Sequence, residues 1–66
     1  MKPSEIRALS TDEIRARLEQ AYREYYELRV SHRIGQLKNT ARLREVRKDI
    51  ARLNTILRER ELQGEG

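Results

Sequence analysis

Residues 39–53 read NTARLREVRKDIARL. Leu43, Val46, Ile50 and Leu53 recur at spacings of three, four and three, which places them on one face of an α-helix. Arg42, Arg44, Arg47, Lys48 and Arg52 occupy positions between them and point elsewhere. One side of such a helix is fit to pack on a partner helix, while another carries a dense row of cations. The rest of the chain reads as the means of holding this helix in place.

The partner lies upstream. Ser10-Thr11-Asp12-Glu13 has the pattern of a capping box, in which Ser10 caps free N–H groups and Glu13 bonds back, and Leu9 with Ile14 has the spacing of a hydrophobic staple. No Gly or Pro interrupts the chain from there to Arg33. Ile14, Leu18, Ala21, Tyr25 and Leu28 follow at spacings of four, three, four and three, and Tyr22 widens the stripe. On the opposite face Arg15, Glu19 and Arg23 are spaced for ion pairing along an exposed helix. Before the cap, Pro3 and Glu5 suit the first turn of a short helix, with Ile6 and Leu9 available to tuck it against the body.

Gly35 stands where a helix ends, because glycine adopts the left-handed conformation cheaply. Leu37 is placed to cover the bend, and Asn39 or Thr40 to cap a second helix. That helix continues its seam to Leu57, with Ile56 thickening the far end. The expected fold is all-α, a single domain: an antiparallel two-helix hairpin with a short N-terminal helical turn. Its helices are expected over about residues 11–33 and 39–61, with a bend at 34–38 and a frayed tail at 62–66.

Composition limits what this hairpin can be. Of 66 residues, 36% are apolar and 39% charged, and three Tyr are the only aromatics, so the chain makes a thin seam and not a thick core. Part of its stability is then expected to come from what it binds. There is no cysteine, hence no disulfide or thiol-based metal site. No apolar run approaches the roughly 20 residues of a membrane span, and MKPSEIRALS lacks the apolar core of a secretory signal, so a soluble, cytoplasmic chain is expected.

Charge is unevenly placed. Residues 29–52 hold eight cations against two anions, a net of +6, which leaves −2 on the remainder of a chain whose total is +4. A positive charge gathered on one end fits a nucleic-acid-facing surface. Arginine outnumbers lysine twelve to three, and its planar fork suits phosphate. Catalysis has little to work with. His32 is the only histidine and the carboxylates are scattered among arginines. Clustered metal ligands and a Gly-rich phosphate loop are likewise missing from the sequence, so no reaction and no cofactor are expected.

The basic surface is the remaining chemical feature. Arg44, Lys48 and Arg52 lie four apart in one stripe, Arg47 flanks the seam, and Arg29, Arg33 and Lys38 extend the patch toward the bend. Such rows bridge phosphates and release counterions. Asn39, Thr40, Asn54 and Thr55 offer neutral hydrogen bonds that position without reading sequence. Gly35 interrupts the continuous basic helix a zipper-type DNA reader needs, whereas RNA bound by shape and backbone has no such requirement. The rival reading is a coiled-coil protein-binding adaptor with solvated charges, for which Tyr26, Val30 and Ile56 would be the partner contacts.

These residues carry a resemblance. The chain resembles the bacterial large-subunit ribosomal protein twenty-nine family over nearly its whole length. The most specific part is residues 39–53 with Thr55, above all Arg47-Lys48-Asp49-Ile50-Ala51-Arg52. Glu5-Ile6-Arg7, Ser10 to Glu13, Glu24, Leu28-Arg29 and Gly35-Gln36-Leu37 match in the same order. The resemblance implies an antiparallel helical hairpin that binds large-subunit ribosomal RNA near the exit of the nascent-peptide tunnel. Its neighbour there would be large-subunit protein twenty-three, and trigger factor and the signal recognition particle would dock nearby. It assigns Arg7, Arg29, Arg44, Arg47, Lys48, Arg52 and Thr55 to RNA. Tyr25-Tyr26 stands where the family often shows a polar residue and then Phe, which leaves open which ring enters the seam.

Overall fold

A computed structural model describes residues 1–36 and 40–64. Three helices, α1 (Pro3–Arg7), α2 (Thr11–Arg33) and α3 (Ala41–Leu62), account for its regular structure, and no strand occurs among the described residues. The two long helices pack on each other, as the paired seams predict, and α1 lies mainly against α3. Leu37, Lys38 and Asn39 lie outside the described residues.

The helix ends follow local chemistry. Pro3 opens α1, where a missing N–H costs nothing. At the start of α2 the capping box is complete. The Glu13 N–H donates to Ser10 Oγ at 3.1 Å, and the Ser10 N–H donates to Glu13 Oε1 at 3.4 Å. At its other end Gly35 adopts φ +80°. The Gly35 N–H reaches the His32 carbonyl at 3.1 Å and the Gln36 N–H the Ser31 carbonyl at 2.9 Å, the two bonds of a Schellman closure. Thr40, one of two expected caps for α3, does not cap. Its backbone (φ −92°, ψ 2°) is not extended, and its hydroxyl accepts from Arg44 at 3.4 Å instead of from a helix N–H.

The core sits at the end of the hairpin away from the bend. Ile6, Ile14, Leu53 and Ile56 form one buried cluster, with Met1, Leu9, Leu18, Ala21 and Leu57 packed around it. Val46 is also buried, on the α3 seam nearer the bend. Ile56 is 3% exposed. The two-helix pattern leaves it at the edge of the seam, but α1 packs against α3 and its Ile6 joins Ile56 in the cluster, adding a third wall. Of the adjacent tyrosines, Tyr25 is the half-buried one, and Tyr26 stands 71% exposed.

The product is thin. Its radius of gyration is 13.5 Å, against the roughly 11 Å of a compact globule of this length, and it measures 43 × 18 × 15 Å. Polar ties supplement the small core. Arg60 donates to the Arg7 carbonyl at 2.9 Å and to Thr11 Oγ1 at 3.3 Å, fastening the α1–α2 junction to α3. The Met1 ammonium meets Asp49 at 2.8 Å in a half-buried pair. Arg42 spans the hairpin, donating to Glu24 of α2 at 2.7 Å and to Glu45 at 3.2 Å. The Glu24 hydrogen bond, followed by the one to Glu45, holds the Arg42 guanidinium above its already high ordinary pKa.

Candidate nucleic-acid interface

An uninterrupted α3 sets the order of cations on its outer surface, because residues three and four apart are neighbours on a helix. Three shallow grooves result, and they share residues. Arg44, Arg47, Lys48 and Ala51 line the first, on α3 alone. Arg7, Arg52 and Thr55 line the second together with Pro3, Ala51 and Ile56, where α1 meets α3. Arg29, Arg33 and Arg47 line the third with Tyr25, His32 and Leu43, between the bend-side ends of α2 and α3. Arg47 is common to the first and third grooves and Ala51 to the first and second. Of the nine candidate residues, seven from the resemblance with Arg33 and Lys38 from the basic patch, eight therefore form one continuous band around α3. The ninth, Lys38, falls outside the described residues.

The members of the band are not equally free. Arg7 approaches Glu59 at 3.4 Å, and Arg52 donates to the Met1 carbonyl at 2.7 Å. Arg44 makes the long bond to Thr40, and Thr55 Oγ1 donates to the Ala51 carbonyl at 2.8 Å. The Arg29 guanidinium lies 5.6 Å from the centre of the Tyr25 ring, within cation–π range. All four arginines are exposed, so these contacts orient the charges and leave them in water. Ala51 adds clearance. A side chain of one carbon between Arg47, Lys48, Arg52 and Thr55 leaves space for a phosphate to approach the helix. Exposed cations spaced along a ridge with a low floor can bind a polyanion by counterion release. Among the described residues, no group of three or more His, Cys, Asp or Glu could hold a metal ion. No described helix is long and apolar enough to cross a membrane.

Two polar residues have partners that sequence spacing does not reveal. Arg42 belongs to the cationic row by position, yet it works as an interhelical clamp on Glu24, a partner eighteen residues away that periodicity does not reveal. Asn54, a candidate for phosphate, donates to the Tyr22 hydroxyl at 3.1 Å. Arg58 is an exposed cation absent from the expected set. It continues the line of Arg47 and Asn54 along α3 at spacings of seven and four, and that spacing is the signal that marks it.

The model of the family described as ribosomal L29 protein matches residues 4–60. A protein of Lactobacillus delbrueckii subsp. bulgaricus is 56% identical over 63 residues, covering 96% of this chain and 97% of the relative. One from Geobacillus stearothermophilus is 55% identical over 62 residues, 94% of each chain. One from Symbiobacterium thermophilum is 47% identical over 66 residues, all of this chain and 94% of its own. Each of these relatives is named large ribosomal subunit protein uL29.

Proposed function

Because this chain belongs to the ribosomal L29 protein family, we propose that it is a structural component of the large ribosomal subunit, acting in translation by binding large-subunit ribosomal RNA. The observation that carries the reading is the continuous cationic band around α3, in which Arg47 and Ala51 join three grooves. A band of this kind neutralises phosphates of adjacent RNA segments and fixes their relative position. Backbone and shape contacts suffice for that, and no reaction or cofactor is involved. Arg44, Lys48 and Arg52 form its outer ridge, Arg29, Arg33 and Arg47 its bend-side end, and Arg7 with Thr55 its α1-side end. Lys38 belongs with the bend-side group by its place in the sequence.

The family resemblance further supports a site near the nascent-peptide tunnel exit, beside large-subunit protein twenty-three, where trigger factor and the signal recognition particle dock. An adaptor reading is less well supported. Of the three partner contacts it requires, Ile56 is buried against α1 and unavailable.

The test is the salt dependence of RNA binding. Each phosphate neutralised contributes roughly 0.7–0.9 to the slope of log K against log salt. Changing Arg44, Lys48 and Arg52 together to Ala should flatten that slope by about two to three, and co-sedimentation of the intact chain with large subunits should be lost at high salt. An unchanged slope would remove this ridge from the interface.

A further inference from the structure

The cationic band leaves one prominent feature unused. On α2, Tyr22, Tyr26, Arg29 and Arg33 recur at spacings of four, three and four, so they share a face, and all four are exposed. The three tyrosines are the only aromatics in the chain and they are held differently. Tyr22 receives a hydrogen bond from Asn54, and Tyr25 lies half-buried beneath Arg29. Tyr26 is 71% exposed and has no hydrogen-bond or ring partner among the described residues. A large ring standing in water on a folded helix contributes nothing to the core.

We propose that Tyr26 is a stacking platform for an unpaired base of the bound RNA, with Arg29 and Arg33 gripping the phosphates on either side of that nucleotide. The proposal rests on the RNA-binding reading and adds to it a contact that paired RNA cannot make. The surrounding charge selects the occupant. Arg29 and Arg33 lie three and seven residues beyond Tyr26 on the same face, and both also line the neighbouring groove that Tyr25 enters. The acids nearby are Glu19, already paired with Arg23 at 2.7 Å, Glu24, engaged by Arg42, and Glu27, which sits one residue beyond Tyr26 and so points about 100° away around the helix. Val30 and Tyr22, each four residues from Tyr26, give the ring exposed apolar neighbours, and Arg29 and Arg33 give it a cationic flank. An exposed aromatic with cations beside it suits a nucleotide, whose base offers a π-face and whose backbone offers phosphate. An A-form duplex keeps its bases stacked inside, so an aromatic side chain can engage only a base in a loop, bulge or end.

The experiment titrates the full chain onto two short blunt-ended RNA duplexes of equal base-pair number, one fully paired and one carrying a single bulged 2-aminopurine. Stacking on one base predicts that Tyr26→Ala weakens binding to the bulged RNA roughly 5- to 150-fold. The same variant should leave binding to the paired RNA unchanged, and Tyr26→Phe should bind like the original chain, with the same quenching of 2-aminopurine fluorescence. Equal losses on both RNAs would make Tyr26 an ordinary backbone contact and overturn the proposal. Unchanged binding to both would give the face to a protein partner and overturn it as well. If the original chain bound neither RNA, the RNA reading itself would fall, an outcome distinct from the other two. Exposure of Tyr26 makes misfolding of these variants readable as a separate loss of helical signal in circular dichroism.

Discussion

Replacing Ile6 with Ala tests how much of the hairpin depends on its shortest element. Helix α1 has five residues, too few to be stable alone, and the side chain that anchors it is Ile6, buried with Ile14, Leu53 and Ile56. Truncating a buried Ile to Ala costs about 2–5 kcal/mol. The lower half applies here, because α1 is at the edge of the molecule and can settle into part of the space. A chain of 66 residues has about 3–10 kcal/mol of total stability, and so elongated a body with so small a core belongs near the bottom of that range. A loss of about 2–3 kcal/mol therefore removes a large share of it. At about 4–8 °C per kcal/mol, the melting temperature of the free chain should fall by roughly 8–24 °C in circular dichroism at 222 nm. RNA at a hundred times its dissociation constant restores about 2.7 kcal/mol, so the loss should be largely repaired in its presence. A shift of less than about 4 °C in the free chain would mean that α1 is not a wall of the core. A high melting temperature for the unmodified chain without RNA would refute the claim that the thin seam leaves it marginal.

Two further outcomes probe the helix ends. Gly35→Ala should destabilise by about 1–2 kcal/mol, because φ is +80° and nothing lies within 4 Å of an added Cβ, which makes the cost purely conformational. Gly35→Asn should recover part of it in the same thermal melts. Ser10→Ala should cost about 0.5–2 kcal/mol by leaving the Glu13 N–H without its acceptor, and Ser10→Asp should restore most of that loss.

Much of the architecture was legible in the sequence because its determinants are local. The Ser10–Glu13 box and the Gly35 stop each depend on residues within one turn, and the seams of α2 and α3 depend on a period of three to four. What escaped involves partners far apart in the chain. Ile56 reads as peripheral until α1 returns across some fifty residues to bury it against Ile6. Arg7 and Arg52 read as free cations, yet Arg7 meets Glu59 and Arg52 meets the Met1 carbonyl, at separations of 52 and 51 residues. Arg42 was lost in a row of like charges for the same reason. The choice between Tyr25 and Tyr26 needed the rotation of α2 about its own axis, which adjacent residues of one type do not define.

The packing of α1 also imposes an order in time. Ile6 and Ile14 are synthesised some forty to fifty residues before the residues that cover them, Leu53 and Ile56. At about 5–20 residues per second the early side chains wait roughly 2–10 s for their counterparts. During that interval Ile6 and Ile14 lack the α3 side chains that bury them. A chain halted before Leu53 would have a start, a cap, α2 and about half of α3, and would still lack two of the four members of its buried cluster. The core of this hairpin is thus complete only after Leu53, Ile56 and Leu57 of α3 have been made.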